Sequence, residues 1–232
     1  MPPTAQRCTR VDPNRVRWFR QRLRRWHRNH FRTFPWRQTR DPYAVLVAEL
    51  LLHQTFARKV IPVYQELMRE YPDARHLAGA EPGYVEGLLL PLGLKRRSQR
   101  LIALANLLVR EHEGRVPSDE AGLLALPGVG PYTAGAVCTF AHGRRAAIAD
   151  TNVVRILKRF FGLGAPESPP PKSVSLAMRE AALEIVPRLE PRSFNFALLD
   201  FAALVCTHYR PRCATCPVRA RCPAAGVFAS RG

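Results

Sequence analysis

The stretch Leu126 to Val137, Leu-Pro-Gly-Val-Gly-Pro-Tyr-Thr-Ala-Gly-Ala-Val, constrains this chain more than any other. The residues from Ser118 to Leu126 have helical composition, with Ser118 as a candidate N-cap, and the small residues after Pro131 suit a second helix. Glycine permits a tight reversal with positive φ, and proline fits the first turn of the helix that follows. Two helices joined by a short hairpin are therefore expected. Backbone N–H groups at Gly128, Val129, Gly130 and, in the first turn of the second helix, Thr133 would then point outward, where a phosphate can accept them.

The rest of the chain follows the helical period. Val16, Phe19, Leu23, Trp26 and His30 recur at 3-4-3-4 spacing and define one helix face, with arginines on the others. Pro35 interrupts at Phe34-Pro35-Trp36, and Asp41-Pro42 reads as a helix start, an aspartate cap followed by proline. An apolar helix is expected from Tyr43 to Thr55. It carries Glu49 between Ala48 and Leu50, and a carboxylate there needs a reason, because burial without a partner is costly or forces protonation. Further helices are expected at about 57–71, 74–78, 82–90, 96–113, 173–186 and 193–205, with a proline-rich loop at 166–171. No hairpin dipeptide separates two alternating runs, so the expected fold class is all-α.

Charge narrows the partner. The chain of 232 residues has 36 basic and 18 acidic residues, a formal +18. Residues 1–40 alone hold 12 Arg and one Asp. Such an excess points to a polyanion, since each neutralised phosphate releases condensed counterions. An anionic membrane surface is the competitor, and most arginines of the first helix are expected on a solvated face, a subset touching phosphate. No apolar run reaches the ~18 residues of a membrane span, and the arginine-rich start lacks the apolar stretch of a secretory signal. That start also suits an organellar presequence, but its helical spacing favours a retained helix, and a cytoplasmic, nucleoid-associated protein is expected.

Four of the six cysteines fall close together as Cys206-x6-Cys213-x2-Cys216-x5-Cys222. Four thiolates in so short a window can enclose a zinc ion or a [4Fe–4S] cluster. Disulfides are disfavoured in a cytosolic chain. Zinc usually takes two matched CxxC pairs, whereas only one is present, so the spacing points to the iron–sulfur cluster in a structural role. Cys8 and Cys138 read as bystanders. Asp150, after Ala-Ala-Ile-Ala and before Thr-Asn-Val-Val-Arg-Ile-Leu, is at least an N-cap. It also follows Gly130 by 20 residues, so one helix and a loop can return it to the mouth of the hairpin. A carboxylate beside a phosphate grip, with Glu49 as a second, matches the logic of glycoside hydrolysis by two carboxylates.

Together, the hairpin, the aspartate 20 residues on and the cysteine spacing resemble the endonuclease III superfamily of DNA glycosylases, from about Phe34 to Cys222. The resemblance implies a two-lobed helix–hairpin–helix fold: a six-helix lobe at 34–144, and a second lobe from 1–33 with 145–232 that carries the cluster loop. It also implies a cleft that receives a base flipped out of double-stranded DNA containing a mismatch or lesion. Asp150, Glu49 and Tyr132 become the expected catalytic residues. The branch that also cuts the strand carries a lysine where this chain has Tyr132, and a phenol cannot form a Schiff base. A monofunctional enzyme with weak or no lyase activity is therefore implied. Tyr132 with Phe34-Pro35-Trp36-Arg37 and Asp41-Pro42-Tyr43 looks most like the branch that removes T or U opposite G. The alternative is the adenine branch, acting on A opposite G or 8-oxoguanine. Gln54 resembles that branch, while Leu94 resembles the wedge of the others, and the chain stops about ten residues after Cys222, short of that branch's extra domain. His53, Gln54, Leu94, Arg96 and Arg97 are the expected DNA-binding side chains, on a monomer. A DNA-binding module without chemistry is the non-enzymatic alternative, which the paired acids Glu49 and Asp150 weigh against.

Overall fold

A computed structural model describes residues 11–93, 95–164 and 174–229. In chain order the helices are α1 (Pro13–His27), α2 (Pro35–Gln38), α3 (Pro42–Leu52), α4 (Ala57–Glu70), α5 (Ala74–Ala78), α6 (Pro82–Leu89) and α7 (Lys95–His112). They continue with α8 (Glu120–Leu124), α9 (Pro131–Phe140), α10 (Thr151–Phe161), α11 (Leu176–Ile185), α12 (Pro191–Leu204) and α13 (Ala225–Ala229). The described residues contain no strand, as expected of an all-α chain. None of their helices is long and apolar enough to cross a membrane. Leu94 and the expected loop at 166–171 lie outside the described residues.

A carboxylate followed by proline starts four of these helices, and in three of them its side chain caps the first turn. Asp12 accepts from the Asn14 N–H at 2.9 Å, Asp41 from Tyr43 at 2.8 Å, and Glu81 from Gly83 and Tyr84 at 3.0 and 2.7 Å. Proline sacrifices an N–H that would have no helical partner, and the carboxylate satisfies one of the others. Local details depart from expectation in four places. Pro35 opens the short helix α2 rather than merely breaking the chain. The cap of α8 is Asp119, which accepts from the Gly122 N–H at 2.9 Å, not Ser118. α3 ends at Leu52, short of Thr55: His53 leaves the helical region at ψ 117° and Gln54 then turns to φ +56°. α1 ends at His27, so His30 lies beyond it and is exposed, stacked on Trp26 with ring centroids 4.6 Å apart. His27 takes the buried place, its Nε2 3.0 Å from Asp200 Oδ2.

The chain divides into two compact units. One spans Thr33–Arg144; the other is built from the chain on either side, up to Arg32 and from Arg145 onward. In the first, α3 is apolar all round: Val45, Leu46, Val47, Ala48 and Leu51 are buried, as expected of a central helix. It packs against α4 and α9, while α5 and α6 pack on α7. The second unit has an aromatic core of Phe19, Phe160, Phe194 and Phe201. Phe19 lies 4.8 Å from Phe160, centroid to centroid, and 6.1 Å from Phe201, within the range at which edge-tilted rings attract. Each such side chain contributes about 1.5–3 kcal/mol by leaving water. In the same unit Asp200, fully buried in α12, accepts from Arg32 Nε at 2.5 Å and from the Arg32 N–H at 3.2 Å.

Candidate active site and cysteine pocket

The hairpin closes through the Val129 N–H, which donates to Leu126 O at 3.2 Å. Gly128 sits at φ +81°, where a side chain is disfavoured by its own backbone; a Cβ added there would find its nearest neighbour, Leu50 Cδ2, at a comfortable 3.9 Å. Gly130 caps α9 in extended conformation, with open space where a Cβ would stand. Pro131 takes the first position of α9, as expected, and Tyr132 follows, half-buried. The side chains of Val129 and Thr133 turn into the unit, so only their backbones are available to a phosphate. Thr133, 1% exposed, meets His53: Oγ1 and Nε2 are 2.9 Å apart.

Glu49 lies on α3 and is 5% exposed. After the helix come His53, half-buried, and Gln54, exposed. Arg97 closes the end of α3: its Nη1 donates to Leu50 O at 3.0 Å and Leu51 O at 3.2 Å, and its Nη2 to His53 O. Sequence reasoning assigned Arg97 to DNA; in the structure these donors meet two carbonyls of the last turn of α3 and that of His53. Arg96 lies in the first turn of α7. Leu50, His53, Arg97, Arg100, Pro127 and Gly128 line a recess beside the hairpin. Burial, and secondarily the Arg97 charge, push the His53 pKa below its ordinary value, so its imidazole is neutral at neutral pH.

In the other unit, Asp150 caps α10. Its Oδ1 accepts from the Val153 N–H at 2.8 Å and its Oδ2 from Asn152 Nδ2 at 2.6 Å. Asn152 Oδ1 in turn accepts from Arg155 Nη1 at 2.9 Å, and Arg155 Nε donates to Cys206 O at 2.7 Å. A run of hydrogen bonds therefore leads from the carboxylate to the backbone of the first cysteine. Sequence reasoning missed Asn152 and Arg155. The available signal was an arginine within the apolar run Val153-Val154-Arg155-Ile156-Leu157, where a charge needs partners.

The five described cysteines are free thiols, which removes the disulfide reading for them. Cys206, Cys213, Cys216 and Cys222 line one pocket with Ile156, Phe160 and Val218. Burial raises the pKa of Cys213 and Cys222, and that of Cys216 to about 12. Arg159, itself buried, spans the loop: it donates to Thr207 O at 2.6 Å and His208 O at 2.7 Å, and approaches Cys206 Sγ at 3.8 Å. Among the described residues, no three or more His, Cys, Asp or Glu side chains are grouped so as to hold a metal ion. Cys138 is buried in α9, as expected of a bystander.

Comparison with known proteins places these features. The family model for HhH-GPD superfamily base excision DNA repair proteins matches residues 47–182. A thymine-DNA glycosylase of Aeropyrum pernix is 39% identical over 220 residues, 91% of this chain and 96% of that protein. An adenine DNA glycosylase of Mycobacterium tuberculosis is 36% identical over 201 residues, 83% of this chain but 63% of that protein. The solved structure of a thermostable thymine-DNA glycosylase superposes with a TM-score of 0.86 at 32% identity, covering 92% of this chain and 98% of that one. The hairpin before α9 thus stands in a chain that belongs to the HhH-GPD superfamily of base excision DNA repair proteins.

Proposed function

We propose that the protein is a monofunctional DNA glycosylase that removes T or U opposite G from double-stranded DNA by hydrolysis of the N-glycosidic bond. The observation that carries this reading is a carboxylate buried on a central helix, Glu49, in the same unit as a hairpin whose first helical turn offers a phenol, Tyr132, and no amine. Family membership makes base excision the task, and the thymine-DNA glycosylase relative favours a pyrimidine.

In this mechanism the backbone N–H groups of Gly128, Gly130 and the start of α9 grip a phosphate, and Gln54 and Leu94 fill the stack that the flipped base vacates. Arg96 adds a phosphate contact. The base lies between Tyr132 and Glu49, with Glu49 donating a proton to it or positioning water. Asp150 stabilises the positive charge that develops on the sugar and guides water to the anomeric carbon. Tyr132, standing where the strand-cutting branch has a lysine, cannot capture the sugar, so the product is an intact abasic strand. The enzyme acts as a monomer, in the cytoplasm at the nucleoid.

Cys206, Cys213, Cys216 and Cys222 would hold a [4Fe–4S] cluster. Their chemistry fits it: four soft sulfur donors, half-buried, line one pocket, where a positively charged group would favour the thiolate forms. A bound cluster would tie Cys213, Cys216 and Cys222 of the C-terminal loop to Cys206, just after α12. An absorbance near 400 nm in the purified protein tests for iron against zinc.

The test of activity is incubation with duplexes carrying G:T, G:U, A:G or A opposite 8-oxoguanine, each developed with and without hot alkali. Cleavage at T or U that requires alkali is the expected result. Cleavage at A alone would move the enzyme to adenine removal, the reading that Gln54 and the M. tuberculosis relative favour. Tight duplex binding with no product over hours would leave a binding module. Tyr132→Lys should gain strand cleavage without alkali, through a covalent adduct that borohydride traps.

A further inference from the structure

The end of α3 holds an exposed residue in a backbone conformation its side chain does not favour. Gln54 has φ +56°. Such conformations persist only where the surroundings over-determine them, and here the surroundings converge on the residue before it. His53 O accepts from Arg97 Nη2 and from Thr55 Oγ1, the latter at 3.2 Å. The His53 ring, 80 residues distant in sequence from its partner, meets Thr133 Oγ1 at 2.9 Å. Thr133 is buried in the first turn of α9, next to Tyr132. One side-chain contact therefore joins the neighbour of Gln54 to the neighbour of Tyr132.

We infer that His53 is a positioning residue, a strut that fixes the backbone of Gln54 and the first turn of α9 in one register, rather than a side chain that enters the DNA. The sequence alone placed His53 with the residues that fill the gap. Its ring is instead half-buried and committed to Thr133, while its carbonyl closes the α3 end under Arg97. A neutral imidazole suits this work, because it can accept from the Thr133 hydroxyl or donate to it. Loss of the strut frees Gln54 to leave its strained conformation and loosens Tyr132 at the same time. The cost should fall on the step that extrudes the base and holds it. The inference rests on the excision reading, and names what aligns the two residues of that reading lying nearest the strut.

A double-mutant cycle tests it. His53→Ala and Thr133→Val are each expected to slow single-turnover excision from a G:U duplex about tenfold, and the double variant is expected to be no slower than either. Rates are compared at saturating enzyme, so that a change in duplex affinity does not enter them. His53→Gln, which keeps both the reach and the hydrogen-bonding capacity, should restore most of the rate. A 2-aminopurine beside the target reports extrusion without any bond breaking; its fluorescence rise should be smaller in both single variants and recover in His53→Gln. Multiplicative losses in the double variant would overturn the inference. So would a silent Thr133→Val, or a His53→Gln as slow as His53→Ala. If the wild type excises nothing, the excision reading fails, yet the 2-aminopurine signal still decides the strut.

Discussion

Two irregular segments, the end of α3 and the loop of the four cysteines, are held by the same device and differ in what completes them. At the end of α3, Arg97 reaches three carbonyls and His53 ties the turn to α9. At the cysteine loop, Arg155 reaches Ala202 O and Cys206 O, and Arg159 reaches Thr207 O and His208 O. Arginine suits both, since its planar fork presents several donors to carbonyls that a helix end leaves without partners. The α3 end needs nothing more: its polar groups find each other and it displays Gln54. The cysteine loop gathers four half-buried thiols around one pocket, the set that the proposed cluster would use. One segment is finished by the chain itself; the other, on the proposed reading, would be finished by a bound cluster.

Substitutions at each segment put that contrast to the test. The largest effect is expected from Asp150→Asn, at the far end of the hydrogen-bond run from the cysteine loop. Asparagine caps a helix as well as aspartate does, so α10 should keep its start while excision falls about a thousandfold. Single-turnover kinetics beside a thermal melt would check this; a rate near wild type would remove Asp150 from the chemistry. Cys216→Ser comes next. It should lose most of the absorbance near 400 nm and melt about 10 °C lower, because a bound group's affinity is part of folding stability. Iron analysis with calorimetry reads both, and an unchanged melt would mean the loop is self-sufficient, like the α3 end.

The paired variants Arg97→Met and Arg155→Met compare the two segments directly. Each should slow excision by about tenfold or more, as losses of supporting residues usually do. Only Arg155→Met should also lower iron content, since only it touches the backbone of a cysteine. Equal iron in both variants would dissolve the contrast. The smallest effect concerns pH. The folded pKa of His53 lies below its unfolded value, from burial and then Arg97. As pH falls below the unfolded value toward the folded one, the unfolded chain takes up a proton that the folded chain refuses, so this stability is present above that window and is lost within it. Urea unfolding at about pH 7.5 and about pH 5.5 should show a smaller decline for His53→Gln than for the wild type.

What could be read locally was read from the residues. Asp41 before Pro42, Asp150 before Thr151 and Gly128 in the hairpin act through partners two or three residues away, or through their own φ, so composition and order suffice. The helical class followed from periodicity in the same way. The candidate site was legible as far as its motifs: Glu49 on an apolar helix, Tyr132 after Pro131 and the cysteine spacing all stood out.

The order of residues alone therefore dictates where helices start, where the chain must reverse and which residues carry unusual chemistry, because those are short-range consequences of backbone sterics and capping. Which partners the arginines take within the chain was decided by packing. Nothing in the order of residues distinguishes an arginine for phosphate from one for a helix end, when Arg97 finds its carbonyls 44–47 residues away, Arg155 reaches one at 51 and Arg20 finds the end of α11 at 164–166. The same holds for His27, which replaces His30 on the buried face because α1 stops where Asp200 waits, 173 residues on. Hydrogen bonds of that reach depend on the tertiary fold, which brings together groups whose separation along the chain carries no signal.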